Sequence, residues 1–468
     1  VALWRKTAAL TASQRSNSLR PPAHFHKTAL GIAGLDDPLH AVEALRALLD
    51  KQPEEAIGRQ LAVMIAIDEL FACLHPRTPR AAAPGAPRPP AWISALQDRR
   101  TVCGYYLDVG GMLLLPRGPL LRMPRDPHAS SADTLEDRFA YLTTISRVIQ
   151  HRESPIAVNL KYVGMNLLDG VEPVSSPGRE RISFVPIAES ANDLDIKPVT
   201  LNERIFAHYG PTATLAGGQR IIDALHKHGK HDLAVAPELV MSPDQTAHVQ
   251  DELRKAVSAP NLLLLGTQNS IDDENGQPFN EALLVNSMGT LLSRQRKIWP
   301  ASIPAEQARK LGLCGDNDDA PVYENNASAR EMDIVDIDGF GRVVVLICQD
   351  LMLDPANDLI ARLQPDWVLV PILADDLECG RWAHRRALSI SETAQSRFVA
   401  VTSSALACHA GQDPAGAIGF ALGPAVPAAT EENQRAVVFI KADRSASPHS
   451  GSTIWHGSEW IQSFVRAN

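Results

Sequence analysis

The chain has 468 residues, 45% of them hydrophobic and 21% charged, and a formal net charge of −9. A prior of about 150 residues per domain allows two or three domains, and the composition excludes collagen-like, coiled-coil and wholly disordered chains. Its most apolar runs, 261–266, 343–348 and 366–374, fall short of the roughly 18 residues a membrane helix requires, so no membrane partner is expected.

Charge is spread unevenly along the chain. Residues 1–180 hold 21 basic and 18 acidic side chains, whereas the remainder holds 24 and 36. An acidic C-terminal part is a poor surface for a nucleic-acid backbone, so no nucleic-acid partner is expected for it. Residues 1–35 contain Arg5, Lys6, Arg15, Arg20 and Lys27 and no acid, which resembles a transit peptide or a basic leader. Apolar residues at helical spacing predict helices over 38–75. A Pro-rich stretch near 77–92 reads as a linker or loop. The spacing over 133–151 predicts a further amphipathic helix. Ser175-Ser-Pro-Gly178 marks the expected domain boundary, giving a mainly helical N-terminal region over 1–178 and a second domain over 179–468.

From Arg181 the pattern turns to strands alternating with helices. Strands are predicted at 182–188, 232–237, 261–267, 342–347, 367–372 and 398–403. Helices are predicted at 214–228, 245–257, 355–363 and 382–395. Two further strands, 282–286 and 290–296, flank Ser287-Met-Gly289 as a hairpin. Mixed strands and helices with an antiparallel hairpin argue for an α/β sandwich with helices outside. His226, His228 and His231 cluster near a predicted helix C-terminus, where the helix dipole favours positive charge. The six cysteines form no C-x-x-C pair. That excludes a zinc ribbon and fits a reducing, cytoplasmic setting.

Three polar residues stand where strands run out: Glu238 after Leu-Ala-Val-Ala-Pro, Lys297 after Leu-Leu-Ser-Arg-Gln-Arg, and Cys348 after Val-Val-Val-Leu-Ile. Strand ends are where α/β folds expose side chains in a crevice. A thiol that attacks a carbonyl needs a base to take its proton and a cation to hold the oxyanion.

In their order and context these segments resemble the nitrilase, or carbon–nitrogen hydrolase, superfamily over roughly residues 181–468. The matching pieces are Ala-Pro-Glu238, Arg-Lys297-Ile-Trp-Pro, Leu-Ile-Cys348-Gln-Asp-Leu, and the helix and strand from Arg381 to Val401. The resemblance implies an α-β-β-α sandwich and a catalytic set of Glu238 as general base, Lys297 as electrostatic stabiliser and Cys348 as nucleophile. It implies a second glutamate after the lysine, expected at Glu306 with Glu281 as the alternative. Gln349, Trp299, Asp375 and Asp376 are expected around the substrate, with the backbone N–H of Gln349 helping to bind the oxyanion.

The reaction implied is hydrolysis of a small-molecule amide, carbamoyl amide or nitrile through a thioester, without cofactor or metal, in a homodimer or higher homo-oligomer paired through the helix near Trp382. Acyl transfer to an amine, or a binding module of a larger assembly, are the alternatives. Gln349 stands where small-amide hydrolases usually carry an aromatic residue. The 51-residue stretch from Lys297 to Cys348 is longer than usual for the family, with the excess expected in 311–330. The acids of that stretch do not match a calcium loop. Acids after the 367–372 strand are expected to favour a cationic substrate.

Overall fold

The computed structural model describes residues 23–50, 56–74, 89–118, 139–150, 154–164, 179–228, 231–255, 259–273, 275–375, 377–411, 416–424, 435–441, 451–455 and 460–463. The chain divides into two compact units. One comprises 1–148 with 160–162 and 362–364, and the other the remainder. The basic leader up to residue 22, the Ser-Pro-Gly boundary and most of the Pro-rich stretch lie outside the described residues.

The first unit holds α1 (Ala23–Ala33), α2 (Pro38–Asp50), α3 (Ala56–Leu70) and α4 (Ala91–Cys103). Phe25, Ala29, Ala33, Leu45, Ala62, Val63 and Ala66 form one core cluster among the first three helices. The unit also contains an antiparallel sheet of β1 (Leu107–Val109), β2 (Met112–Pro116) and β3 (Leu142–Ser146), in that order. Here the structure corrects the helix expected over 133–151. Leu142, Ile145 and Ile149 are spaced like a helical face, but Thr143, Thr144 and Ile145 are β-branched or strand-tolerant, and 142–146 pair with Met112–Pro116. Residues 133–138 of that expectation lie outside the described residues. Strands β4 (Val148–Ile149) and β5 (Ile156–Val163) carry the chain onward.

The second unit opens with β6 (Arg181–Phe184), the hairpin β7 (Leu194–Leu201) and β8 (Arg204–Pro211), α5 (Gly217–His228), β9 (Leu233–Val235), α6 (Pro243–Leu253), β10 (Leu262–Asp272), β11 (Pro278–Asn286) and β12 (Leu291–Arg296). After β13 (Ser302–Ile303), α7 (Ala305–Lys310) and β14 (Val322–Glu324) come β15 (Glu331–Ile337), β16 (Gly341–Val345), α8 (Asp354–Leu363), β17 (Trp367–Pro371), α9 (Trp382–Ala394), β18 (Arg397–Val401) and α10 (Ala405–His409). The last strands are β19 (Ala417–Pro424), β20 (Arg435–Lys441), β21 (Gly451–Trp455) and β22 (Trp460–Ser463).

One sheet runs β12-β11-β10-β9-β6-β21-β22, and a second runs from β20 through β19, β18, β17, β16 and β15 to β5. The parallel pairs are central (β10 with β9, β9 with β6, β16 with β17, β17 with β18), and antiparallel strands flank them. Fully buried parallel strands read as unbroken apolar runs; Trp367–Pro371 is buried throughout.

On the first sheet, Ile221 and Leu225 of α5 and Val249 and Leu253 of α6 pack against Leu263, Leu265, Leu283 and Val285. On the second, α9 lies against β18, β19 and β20. The inner faces of the two sheets meet. Gly419 of β19 lies so close to Phe184 of β6 that a Cβ there would sit 2.5 Å from the ring. Ser293 and Gln295 of β12 also hydrogen-bond across to Asp333 of β15. The architecture is therefore helix, sheet, sheet, helix, as the resemblance implied. A small third sheet, β13-β14-β8-β7, adds to the same unit.

Candidate active site

Three chain segments end against one another between the sheets. Pro237 follows β9, and Glu238 turns inward with its carboxylate fully buried. The turn is tight. Leu239 is held at φ +55 with its N–H donating to Thr267 Oγ1 at 2.8 Å. Across from it, Gly266 at φ +78 lets the β10 backbone approach Pro237; a Cβ at that glycine would lie 2.3 Å from the Pro237 carbonyl oxygen. Only glycine adopts such a conformation without cost.

Lys297 leaves β12 with its N–H on Asn280 O at 2.8 Å and its own carbonyl accepting from Ala329 N at 3.0 Å. Its side chain is fully buried. Nζ donates to Glu238 Oε1 at 2.8 Å and to Glu324 Oε2 at 2.5 Å. Glu238 also accepts from Asn280 Nδ2 at 2.8 Å and from the Leu373 N–H at 2.9 Å. Cys348, just beyond β16, stands at φ +49, a conformation that strains a non-glycine residue by on the order of 1–3 kcal/mol and is found at functional turns. Its thiol is in hydrogen-bond contact with Glu238.

The charges balance in a definite way. Burial raises the Glu238 carboxyl, and Lys297 only partly offsets it. Burial works to lower the Lys297 ammonium, but Glu238 and Glu324 outweigh it and hold it well above its ordinary value. Burial first, then the Glu238 charge, pushes the Cys348 thiol well up. The resting centre therefore keeps Cys348 as a neutral thiol beside a lysine that holds its proton between two buried carboxyl groups. Tyr209 of β8 is buried near the same charges, and its phenol is likewise raised, mainly by burial.

The structure brings Glu238, Lys297 and Cys348 together. It does not bring Glu306. That residue lies in the first turn of α7 with its side chain 76% exposed, paired with Lys310 one turn on at 2.8 Å. The position expected of Glu306 is filled by Glu324, whose Oε2 binds Lys297 and accepts from Ala301 N at 2.9 Å. The alternative, Glu281, is buried elsewhere, against Arg296 and Arg294.

Gln349 follows Cys348, and its Oε1 accepts from Ser302 N at 3.3 Å. The Trp299 N–H donates to Asp350 Oδ1 at 3.0 Å, and the Ile298 N–H donates to both oxygens of the same carboxylate. Asp350, whose carboxyl burial lifts to about 7, thus ties the Cys348 turn to the segment bearing Lys297. The negative field expected after the 367–372 strand is offset: Asp375 lies 3.6 Å from Arg381, while Asp376 lies outside the described residues. Among the described residues no group of three or more His, Cys, Asp or Glu is arranged to hold a metal ion, and no helix is long and apolar enough to cross a membrane.

Glu324 and Asn280 escaped the sequence reading. Glu324 closes the three-residue strand Val322–Glu324, whose buried-exposed-buried alternation is the only local sign of it.

The sequence matches no family model and no curated protein. The structure is similar to Nit3 of Saccharomyces cerevisiae, a member of branch 10 of the nitrilase superfamily, at 18% identity over 58% of this chain and 94% of that one, with a TM-score of 0.35. It is similar to an amidase of the nitrilase superfamily from Nesterenkonia at 13% identity over 57% and 91%, TM-score 0.33. A carbon–nitrogen hydrolase superfamily protein of Xanthomonas campestris with an arsenic adduct in its active site gives 16% identity over 56% and 91%, TM-score 0.33.

Proposed function

We propose that this chain is a member of the nitrilase superfamily and hydrolyses a non-peptide carbon–nitrogen bond, with Cys348 as nucleophile. The observation that carries the reading is the buried contact of Lys297 Nζ with Glu238 Oε1 at 2.8 Å, beside a cysteine on a strained strand-end turn. A base, a cation and a nucleophile then share one desolvated space, where their mutual effects are strongest.

For an amide the steps balance as follows. Cys348 Sγ bonds to the carbonyl carbon while its proton passes to Glu238, and the carbonyl oxygen becomes an oxyanion held by the Lys297 ammonium and the Gln349 N–H. Glu238 gives the proton to the departing nitrogen, the carbon–nitrogen bond breaks, and a thioester remains. Water loses a proton to Glu238 and attacks the thioester carbon. The thiolate leaves, regains that proton, and the acid departs. Glu324 keeps Lys297 charged and aimed.

The test is incubation with a panel of amides, carbamoyl amides and nitriles, followed by intact-mass and peptide analysis. An acyl adduct on Cys348, absent in C348A, is the expected result. Turnover that survives in C348A would sink the proposal.

A further inference from the structure

A cavity of about 930 Å3 lies in the same unit and is lined in part by Phe279, Arg294, Arg296, Trp299 and Arg330. Neither Glu238, Lys297, Glu324 nor Cys348 lines it. Its volume falls in the ~300–1,000 Å3 range of small-molecule sites.

Two arginines on its wall have donors to spare. Arg296 is fixed from two sides: Nε donates to Glu281 Oε2 at 3.1 Å, and the guanidinium carbon lies 4.2 Å from the Phe279 ring centroid. Glu281 is itself only 1% exposed, so the arginine rests on a buried carboxylate. Its two terminal nitrogens make no hydrogen bond among the described residues. Arg330 is exposed and its guanidinium has neither ion pair nor hydrogen bond among the described residues.

The acidic residues of the same wall each already accept at least one hydrogen bond. Asp273 accepts from the Asn275 and Gln277 N–H groups and from Asn275 Nδ2. Asp333 accepts from Ser293 and Asn159, and Glu331 from Asn159. The unspent guanidinium donors of Arg296 and Arg330 call for a ligand that brings acceptors. A guanidinium held flat presents a fork that matches a carboxylate with little ordering left to lose. The acids around it disfavour a multiply charged anion, and Trp299 supplies an apolar face.

We propose that this cavity is a binding site for a small organic monocarboxylate, its two oxygens on the Arg296 fork with Arg330 beside them.

Isothermal titration of the full chain with sodium benzoate tests this. Binding with a Kd in the millimolar range or tighter is expected, weakened about tenfold or more in R330Q and in R296K, the scale of one charge-assisted hydrogen bond. R330Q removes a guanidinium that makes no hydrogen bond or ion pair among the described residues. R296K keeps a cation against Glu281 but loses the fork. No benzoate binding at millimolar concentration, undiminished binding in both variants (as binding at Cys348 would give), or binding of inorganic phosphate but not benzoate would each overturn the proposal.

Discussion

Cys348 is only 4% exposed, and burial with the Glu238 charge holds its thiol protonated. The sequence alone suggests the reverse, because a nearby ammonium favours a thiolate; here two carboxylates and desolvation outweigh the single cation. Iodoacetamide near neutral pH is therefore expected to alkylate the exposed Cys379 before Cys348, as read by peptide mass mapping. Earlier labelling of Cys348 would contradict this charge balance. For turnover, E238Q, K297A and E324Q are each expected to lower kcat on the order of a hundredfold or more. Combined, the losses should fall well short of multiplying, since the three serve one cycle. E306Q is expected to match the parent enzyme within about twofold, as surface positions away from a site usually do. A steady-state assay of these four variants separates Glu324 from Glu306 directly.

Among elements, the β10 backbone at Gly266 fixes where the Glu238 turn sits. G266A forces a Cβ toward the Pro237 carbonyl and strains φ +78. It is expected to destabilise the chain by about 1–3 kcal/mol, seen as a lower denaturant midpoint, and to depress kcat together with it. In the first unit, Asp68 of α3 accepts from the N–H groups of Ala140 and Leu142, both at 2.7 Å, and of Tyr141. Burial nevertheless lifts its carboxyl to about 7. A carboxyl raised above its unfolded value keeps a proton in the fold that the unfolded chain has released. Its contribution to stability is present at low pH and lost as pH rises through about 4 to 7. Urea unfolding across that window should show the decline, and D68N should lessen it, with Asp350, lifted likewise to about 7, contributing to what remains; an unchanged slope would count against this reading of Asp68.

Elements were legible in the sequence where one local pattern decided them. The runs ending at Glu238 and Cys348 announce themselves as apolar strands stopped by a polar residue. The hairpin around Ser287-Met-Gly289 does so by its turn. Glu324 was hidden because its short strand exists through pairing with Ser302 and Ile303 on one side and, on the other, with Phe206 and Ala207 more than a hundred residues away. The strand at 142–146 was hidden because apolar spacing there fits a helix as well, and only its partner Met112–Pro116 decides.

For the whole molecule, α9 presents half-buried Trp382 and Leu388 and exposed Arg385, a mixture suited to a two-fold contact. A dimer is the expected state in light scattering at micromolar concentration, with R385E combined with L388D shifting it to monomer. A parent chain that runs as a monomer would refute the pairing. The six cysteines are all free, two of them exposed and Cys348 buried. Because oxidants attack thiolates that solvent can reach, peroxide meets the exposed Cys379 and Cys73 first and finds Cys348 shut in and protonated. Oxidative damage to this protein should thus appear as surface sulfenic acids and intermolecular disulfides long before Cys348 is touched, and a free-thiol count would be a poor gauge of the state of that one sulfur.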